Sequence, residues 1–241
     1  WTQARDLAAA HPEKLAELQR LFLIEATKYH VLPLDDRSFE RVLPDVAGRP
    51  ELIRGDTQLL LPGMGALTEQ HVLNWRNRSW SLSAEVEVPR GGANGVLFSL
   101  GGHGGGWSFY LKDRRAAFAY NLFGLETTIV RAEAGVPPGA HRLRVEFAYD
   151  GGGLGKGGTV THYLDGQPVG SGRVERTEPI GFGYEYTDVG RDAQSPVTDD
   201  YPRGANAFTG TLRFLELQSG ADRHDHLIEP GQLLHFMLGK Q

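Results

Sequence analysis

The sequence predicts a mainly β protein, an antiparallel β-sandwich of the jelly-roll or concanavalin-like kind preceded by an N-terminal helical segment. Three observations predict this fold class. Apolar residues repeat every three or four positions near the start of the chain and every second position from about Thr57 onwards. The 241 residues include 32 glycines, about twice the average usage, which indicates many tight turns. Asp165-Gly166 lies between two strand-like runs, which is a strong hairpin signal.

The helical segment opens the chain. Strong helix formers dominate up to residue 29, with Pro12 placed in the first turn of a helix and Pro33 placed to stop it. One helical stripe carries the apolar side chains of Leu15, Leu18, Phe22, Ala26 and Tyr29. Residues 35–56 are rich in proline, glycine and charge, which is typical of an extended linker. We therefore expect a helical segment with its linker over 1–45 and a sandwich domain over 46–241.

Strand patterns fill the second part. Residues 80–88 alternate apolar side chains with Ser and Glu, which predicts a strand with one buried face and one solvated face. Shorter runs predict further strands at 96–100, 107–112, 116–121, 127–131, 143–149, 159–164, 181–184 and 208–217. A short C-terminal helix is expected to begin at Pro230.

Composition excludes several classes of protein. The 25 Lys and Arg residues against 30 Asp and Glu residues give a net charge of −5, which argues against nucleic acid as the main partner. No apolar run approaches the ~18–20 residues of a membrane helix, so we expect a soluble protein, and the sequence leaves both cytoplasm and periplasm open as its compartment. Cysteine is absent from the chain, which removes disulfides, thiolate metal sites and a cysteine nucleophile.

Two motifs have structural interpretations that outweigh the functional ones. Residues 151–158 contain G-x-G-x-x-G, but a phosphate loop needs a strand before it and a helix after it, and strands are predicted on both sides. We therefore expect a hairpin loop. Glu85 and Glu87 share one face of a strand, as a pair of glycosidase carboxylates would. That face is the polar side of the most amphipathic strand, and we expect it to be solvated.

Two segments of the sequence are candidates for metal binding. Residues 222–226 read Asp-Arg-His-Asp-His, which offers two imidazoles and carboxylates, although a charged connector explains the same composition. Residues 188–200 are rich in carboxylates, with Asp192, Asp199 and Tyr201 close in sequence, and are a candidate for calcium without the ligand spacing of an EF-hand. Asn77-Arg78-Ser79 is a formal glycosylation sequon.

Aromatic and histidine side chains offer a further candidate site. His103 stands at the tip of the glycine cluster 101–106, and loops on a rigid β scaffold often carry function. Trp107, Tyr110, Tyr120 and Phe123 could stack on sugars, although aromatic residues of alternating strands are more often in the core.

The chain also resembles the C-terminal portion of the large bacterial arylsulfatases over almost its whole length. Its opening resembles the closing segment of their catalytic region, and the rest resembles their C-terminal β domain. The matching motifs include Trp1-Thr2-Gln3-Ala4, His11-Pro12-Glu13-Lys14-Leu15, Pro33-Leu34-Asp35-Asp36-Arg37, Tyr120-Asn121-Leu122-Phe123-Gly124, Tyr163-Leu164-Asp165-Gly166 and Asp188-Val189-Gly190-Arg191-Asp192.

The resemblance implies a parent enzyme that hydrolyses sulfate esters. That family is similar to alkaline phosphatase in fold and uses a formylglycine, made from the Cys or Ser of a C/S-x-P-x-R motif, beside a calcium ion. This chain has no cysteine and no S-x-P-x-R, so no catalytic residue of the family is carried over and no cofactor is expected in this chain. Calcium and formylglycine are expected in a catalytic region upstream.

Three functions follow from these observations. The leading one is a C-terminal fragment of an arylsulfatase, left by truncation, proteolysis or an incomplete gene, which packs on the catalytic domain and shapes the substrate entrance without being catalytic itself. The second is a free-standing lectin-like module that binds glycans. The third is a jelly-roll glycan hydrolase, for which the acid and base are missing. Candidate contacts at the substrate entrance or with glycans are His103, Trp107, Asn121, Asp188 and Asp192.

Overall fold

A computed structural model describes residues 4–34, 53–182 and 185–221. It divides the chain into two units, Trp1–Gly48 and Arg49–Gln241. Among the described residues, the first unit contains helix α1 (Pro12–Lys28), and the second contains a short 3-10 helix (Glu69–His71) and eleven strands. The strands are β1 (Thr57–Leu60), β2 (Trp80–Val88), β3 (Gly95–Gly102), β4 (Gly105–Lys112), β5 (Arg115–Leu122), β6 (Glu126–Gly135), β7 (Gly139–Tyr149), β8 (Lys156–Leu164), β9 (Gln167–Arg176), β10 (Thr187–Val189) and β11 (Thr211–Ser219).

Helix α1 begins as the sequence predicts, with Pro12 in its first turn, where a missing N–H leaves no broken bond. The helix ends at Lys28, before Pro33, because His30 takes a left-handed φ of 55°. Within its own unit, the helix leaves most of its apolar side chains uncovered. Those more than a third exposed are Leu15, Leu18, Leu21, Phe22, Leu23 and Ile24. Among the described residues, no helix is long and apolar enough to cross a membrane.

The strands form two antiparallel sheets, which confirms the predicted sandwich. One sheet has six strands in the order β1-β11-β2-β7-β8-β9, and the other has five in the order β10-β3-β4-β5-β6. The main core contains apolar side chains from both sheets. Asp165 and Gly166 form the β8–β9 turn with φ values of 50° and 81°, which confirms the predicted hairpin, because a type I′ turn needs two positive φ angles.

Three predicted elements need correction or lie outside the description. The strand predicted at 181–184 is wrong at Gly181 and Phe182, which are irregular, and the following two residues are not described. The strand at this sheet edge is instead β10, which pairs with β3. The strand predicted from residue 208 starts at Thr211. The predicted C-terminal helix and the 222–226 metal candidate lie outside the described residues.

The two structural interpretations of sequence motifs are confirmed. Glu85 and Glu87 lie on the solvated face of β2, where Glu85 is 3.6 Å from Arg142 Nε and Glu87 is 3.2 Å from Arg213 Nη2. The glycine-rich run lies in the loop between β7 and β8 and the start of β8, so strands stand on both sides of it.

The sequon asparagine is part of the folded interior. Asn77 is 2% exposed. Its Nδ2 donates to the Pro179 carbonyl at 2.7 Å and its Oδ1 accepts from the Gly155 N–H at 2.9 Å. A glycan on Nδ2 has no room there, because this nitrogen is enclosed against the Pro179 carbonyl, so the sequon does not mark an accessible glycosylation site in the folded protein.

Candidate binding surface

The outer face of the five-stranded sheet is shaped by small side chains on its fourth strand. Ala117 and Ala119 of β5 point away from the main core and form a second apolar cluster with Val96, Tyr110 and Tyr201. Asn121 continues the same row of alternate residues. Tyr110 of β4 and Arg131 of β6 flank Ala117, whereas the β4 neighbours of Ala119 and Asn121 are the small residues Ser108 and Gly106. We call this outer face, along β5 and between Tyr110 and Arg131, the outer groove.

A loop covers this groove. Residues 191–206 connect β10 to β11, and we call them the strap. The Tyr201 ring packs edge-on against the Tyr110 ring, with centroids 5.0 Å apart. The Asn121 Nδ2 donates to the Val197 carbonyl at 3.0 Å. The strap thus buries an outer sheet face that would otherwise meet water.

Asp192 organises the strap from within. Its Oδ2 accepts hydrogen bonds from the Val197 N–H at 3.0 Å and from the Tyr201 hydroxyl at 2.7 Å. Its main chain exchanges two hydrogen bonds with the Asn206 side chain, at 2.9 and 3.0 Å, which closes the base of the strap. Burial, with a smaller contribution from the charges of Asp188 and Glu185, raises the pKa of Asp192 to about 6 against the lowering effect of the hydrogen bonds from Tyr201 and Val197.

Replacing Asp192 by asparagine should change how stability depends on pH. The folded pKa of about 6 lies above the unfolded value of 3.8, so stability from this group is present below pH ~4 and is lost as pH rises through 6. Asparagine keeps an oxygen for both hydrogen bonds and does not ionise. We expect the free energy of unfolding of Asp192→Asn, measured in urea, to rise relative to that of the wild type by up to about 3 kcal/mol between pH 4 and pH 7. A difference that does not change with pH would contradict the burial argument.

A second surface lies where the hairpins of this sheet turn. The β3–β4 turn carries His103 and Gly104, and the β5–β6 turn carries residues 123–125. The residue Tyr186 lies beside them, because its carbonyl accepts from the Gly101 N–H at 3.1 Å. We call His103, Gly104, Phe123, Gly124, Leu125 and Tyr186 the tip surface.

Hydrogen bonds fix the backbone beneath the tip surface. The Asn121 Nδ2 donates to the His103 carbonyl at 3.0 Å, and its Oδ1 accepts from the Gly124 N–H at 2.7 Å. The His103 N–H donates to Ser195 Oγ at 2.8 Å, and the Ser195 hydroxyl donates to a carboxylate oxygen of Glu185. Asn121 and Ser195 therefore join both hairpin turns to the strap.

The side chains above this backbone face solvent. Leu125 is 86% exposed and Tyr186 is 42% exposed, and His103 is also exposed. Phe123 is half-buried against the Phe182 ring, with centroids 5.7 Å apart. The tip surface thus offers an imidazole, an aliphatic side chain and aromatic rings on a fixed backbone.

The predicted site residues separate into two groups. His103 lies on the tip surface with Asn121 buried beneath it, and Asp188 and Asp192 lie at the base of the strap. Asp188 is 4% exposed, and its two carboxylate oxygens accept from the Ala66 and Ala193 N–H groups at 3.0 and 3.1 Å. The structure therefore gives Asn121, Asp188 and Asp192 supporting contacts within the chain, and it leaves His103 exposed.

Trp107 requires a correction. It is 0% exposed and lies in the main core, with its ring centroid 4.7 Å from that of Trp80 and 4.6 Å from that of Phe98. Tyr110 and Tyr120 are buried as well. Trp107 is therefore inaccessible to a glycan at the surface, and the core interpretation of these aromatic residues holds.

Sequence reasoning did not single out several residues of these surfaces. Leu125 and Tyr186 were missed because a lone apolar residue in a loop carries no pattern. Arg131 and Asp200, which pair at the outer groove at 2.7 Å, were missed because the partners are 69 positions apart. The alternation of Ala117, Ala119 and Asn121 was a signal that could have indicated the groove.

The calcium alternative finds little support in the described part of the chain. No group of three or more His, Asp or Glu residues there is arranged to hold a metal ion. The carboxylates of Asp188 and Asp192 face N–H and O–H donors instead. A cation would compete with these donors for the same oxygens.

Comparison with known proteins gives distant structural matches at low sequence identity. No family model matches the chain, and no curated protein matches it. The mouse laminin α1 domains LG4-5 share 15% identity over 70% of this chain and 43% of theirs, with a TM-score of 0.45. A SAP-like pentraxin from Limulus polyphemus shares 12% identity over 68% of this chain and 73% of its own, with a TM-score of 0.36. Sheep galectin-11 in complex with glycerol shares 11% identity over 68% of this chain and 98% of its own, with a TM-score of 0.37.

Proposed function

We propose that the protein is a carbohydrate-binding module that recognises glycans through the tip surface. A sugar ring presents a face of C–H groups and a rim of hydroxyls, so it binds where apolar or aromatic side chains stand beside hydrogen-bonding groups. The observation that supports this proposal is the exposure of His103 and Leu125 on two hairpin turns that Asn121 joins, with the exposed Tyr186 bonded to the end of β3. The imidazole would donate to or accept from a hydroxyl, while the apolar groups would cover C–H surface.

The fixed backbone beneath the tip surface favours binding. Ordering a loop on binding costs free energy, and a loop that is already held avoids that cost. Asn121 holds both hairpin turns through its amide. We infer that Asn121 is a positioning residue, whereas His103 and Leu125 would touch the ligand.

A glycan array followed by calorimetry tests this function. We expect binding that weakens at least about tenfold in His103→Ala and in Leu125→Ser, which is about 1.4 kcal/mol for each variant. Leu59→Ser is the matched control, because Leu59 is also an exposed leucine, at 59%, but lies on β1 of the other sheet. Binding to no glycan, or equal loss in the Leu59 variant, would refute the tip surface as the binding site.

Docking onto a sulfatase catalytic domain is the second candidate function, and helix α1 is the observation that favours it. Within its own unit, this helix leaves the side chains of Leu18, Leu21 and Phe22, which share one face, about half exposed. Exposed apolar stripes of this size mark surfaces that bind protein. The parent would be the arylsulfatase that the sequence resembles.

Two measurements test that second candidate. The reading frame upstream of Trp1 should encode a C-x-P-x-R or S-x-P-x-R motif, and intact mass should show whether that region is part of the mature protein. The purified chain should release no nitrophenol from a nitrophenyl sulfate. An upstream region without the motif, or turnover lost through a mutation in this chain, would contradict the proposed parent.

A further inference from the structure

The outer groove contains a row of three residues from three strands. Tyr110 of β4 pairs with Ala117 of β5, and Ala117 pairs with Arg131 of β6. The methyl group of Ala117 leaves a gap between the two larger side chains. Lys112 lies two positions beyond Tyr110, on the same face of β4. These residues form a cradle with two cations and one phenol around a small central side chain.

The strap places its own carboxylate in this cradle. Asp200 accepts hydrogen bonds from the Tyr110 hydroxyl at 2.7 Å, from Lys112 Nζ at 2.8 Å and from Arg131 Nη2 at 2.7 Å. Its side chain is 10% exposed, while those of Lys112 and Arg131 are 43% exposed. Burial acts to raise the pKa of Asp200, but the hydrogen bonds from Lys112 and Tyr110 and the charge of Arg131 outweigh it and lower the pKa.

The groove also forms hydrogen bonds with the main chain of the strap. Lys112 Nζ donates to the Asp200 carbonyl at 2.7 Å, and Asn121 Nδ2 donates to the Val197 carbonyl at 3.0 Å. Next to the carboxylate, the Tyr201 ring fills the slot against Tyr110. The groove thus holds a short peptide by two carbonyls, one carboxylate and one aromatic ring, and the sheet itself supplies every one of these contacts.

The two ends of the strap meet at one base, and Ala193 and Ser195 near its first end also bond to Asp188, Glu185 and the His103 N–H. Gly190 and Gly204 have φ values of 84° and 79° and lie close to its two ends, and such glycines accommodate changes of chain direction. The reciprocal hydrogen bonds between Asp192 and Asn206 close the base. Most of the strap could leave the groove without breaking the pairing of β4 with β5 or of β5 with β6.

We propose that the outer groove is a recognition site for an acidic peptide that carries an aspartate or glutamate next to an aromatic residue. The strap is its internal occupant, and an external peptide displaces it. The site goes beyond the proposed glycan function, because the side chains that would touch a glycan differ from those of the cradle, and Asn121 alone contacts both the hairpin turns and the strap. A tethered occupant has an effective concentration in the millimolar range, so the wild type binds an external peptide weakly.

The experiment removes the Asp200 carboxylate from the cradle and measures the affinity of the protein for a peptide. The ligand is a labelled synthetic peptide with the strap sequence of residues 196–202, and binding is followed by fluorescence anisotropy. We expect Asp200→Ala to bind it at least about tenfold more tightly than the wild type, because the cradle is free. Asp199→Ala is the matched control, because Asp199 is the exposed neighbouring aspartate, and it should bind like the wild type.

Two further variants define the cause of the gain. Adding Lys112→Met and Arg131→Met to Asp200→Ala should abolish the gain in peptide affinity. A peptide with asparagine in place of its second aspartate should likewise bind Asp200→Ala no more tightly than it binds the wild type. Equal affinity of Asp200→Ala and wild type would overturn the proposal. A gain that survives the loss of both cations, or of the peptide carboxylate, would overturn it as well.

Hydrogen exchange of the wild type keeps the proposal testable if Asp200→Ala does not fold. Excess peptide should speed exchange of the Val197 and Asp200 N–H groups, which bond within the strap, and leave the amides of β4 and β5 protected. No acceleration at millimolar peptide would overturn displacement. Loss of glycan binding in the tip variants would not alter this result, so the two proposals fail independently.

Discussion

Replacing Trp107 by alanine is expected to lower the free energy of unfolding by about 3–5 kcal/mol, the usual cost of truncating a large aromatic side chain in a core. The indole is 0% exposed and contacts aromatic side chains from both sheets. These are Trp75, Trp80, Phe98 and Phe118, with ring centroids within 5.9 Å. Close packing leaves no neighbour free to fill the cavity. Urea unfolding followed by far-UV circular dichroism measures the loss.

A surface leucine provides the control for Trp107. Leu125→Ala removes an apolar side chain that is 86% exposed, and exposed substitutions usually change stability by less than about 0.5 kcal/mol. If Trp107→Ala unfolds at the same urea concentration as the wild type, the assignment of Trp107 to the core is wrong. Glycan binding lost in that stable variant would restore Trp107 as a ligand contact.

The buried histidine His162 should make the protein less stable in mild acid. Its side chain is enclosed, with Nε2 donating to the Val130 carbonyl at 3.0 Å and the ring stacked on Phe109. Its Nδ1 is buried without a partner, so a second proton there would have no acceptor. Burial lowers the pKa of His162 from 6.5 to about 4, against the opposing effect of the Val130 hydrogen bond.

The sign of the His162 effect follows from proton binding. Between pH 6.5 and pH 4 the unfolded chain binds a proton at this residue and the folded chain does not, so folding stability falls as the pH falls. The full loss is about 3 kcal/mol below pH 4. Glutamine at position 162 keeps an N–H donor without titrating, so the difference between His162→Gln and wild type should shift by this amount. A difference that is constant from pH 7 to pH 4 would show that His162 is not held neutral.

The two titrating groups act in opposite directions. Acid weakens the fold through His162 and strengthens it through Asp192, over overlapping pH ranges. A pH profile of the wild type alone would therefore hide both effects. Matched single variants separate the two effects. Asp192→Asn removes the Asp192 effect alone, and His162→Gln removes the His162 effect alone.

The sequence predicted the fold where one face of an element meets solvent. Strand β2 alternates buried residues with Glu85 and Glu87 near its end, and its predicted bounds match the observed ones. The Asp165-Gly166 turn was predictable because few residues accept two successive positive φ angles. Pro12 marked the start of α1 for a similar local reason.

The sequence could not predict which aromatic residues are exposed on β4. Every residue from Gly105 to Leu111 is buried, because the inner face meets the other sheet and the outer face meets the strap. Alternation then carries no information about which side is inside. Trp107 and Tyr110 therefore look alike in sequence, although the first lies in the main core and the second lies under Tyr201.

The site was predictable only in part, because its contacts are long-range. The glycine cluster at 101–106 located His103 at a hairpin tip, as the structure shows. The pairing of Asp200 with Tyr110 and Lys112 spans about ninety residues, and nothing local distinguishes Asp200 from Asp199. Asn121 lies in a strand, and its amide contacts become visible only once the two hairpin turns and the strap come together.

Chemical-shift mapping tests the proposed tip surface most directly. The labelled protein would be titrated with the glycans that bind on the array, and backbone N–H shifts would be followed to saturation. Saturable shifts should cluster at His103, Gly104, Gly124 and Leu125 and spare the outer face of β2 and β7. Saturable shifts confined to that other face, or no saturable shift with any glycan, would contradict carbohydrate recognition at the tip surface.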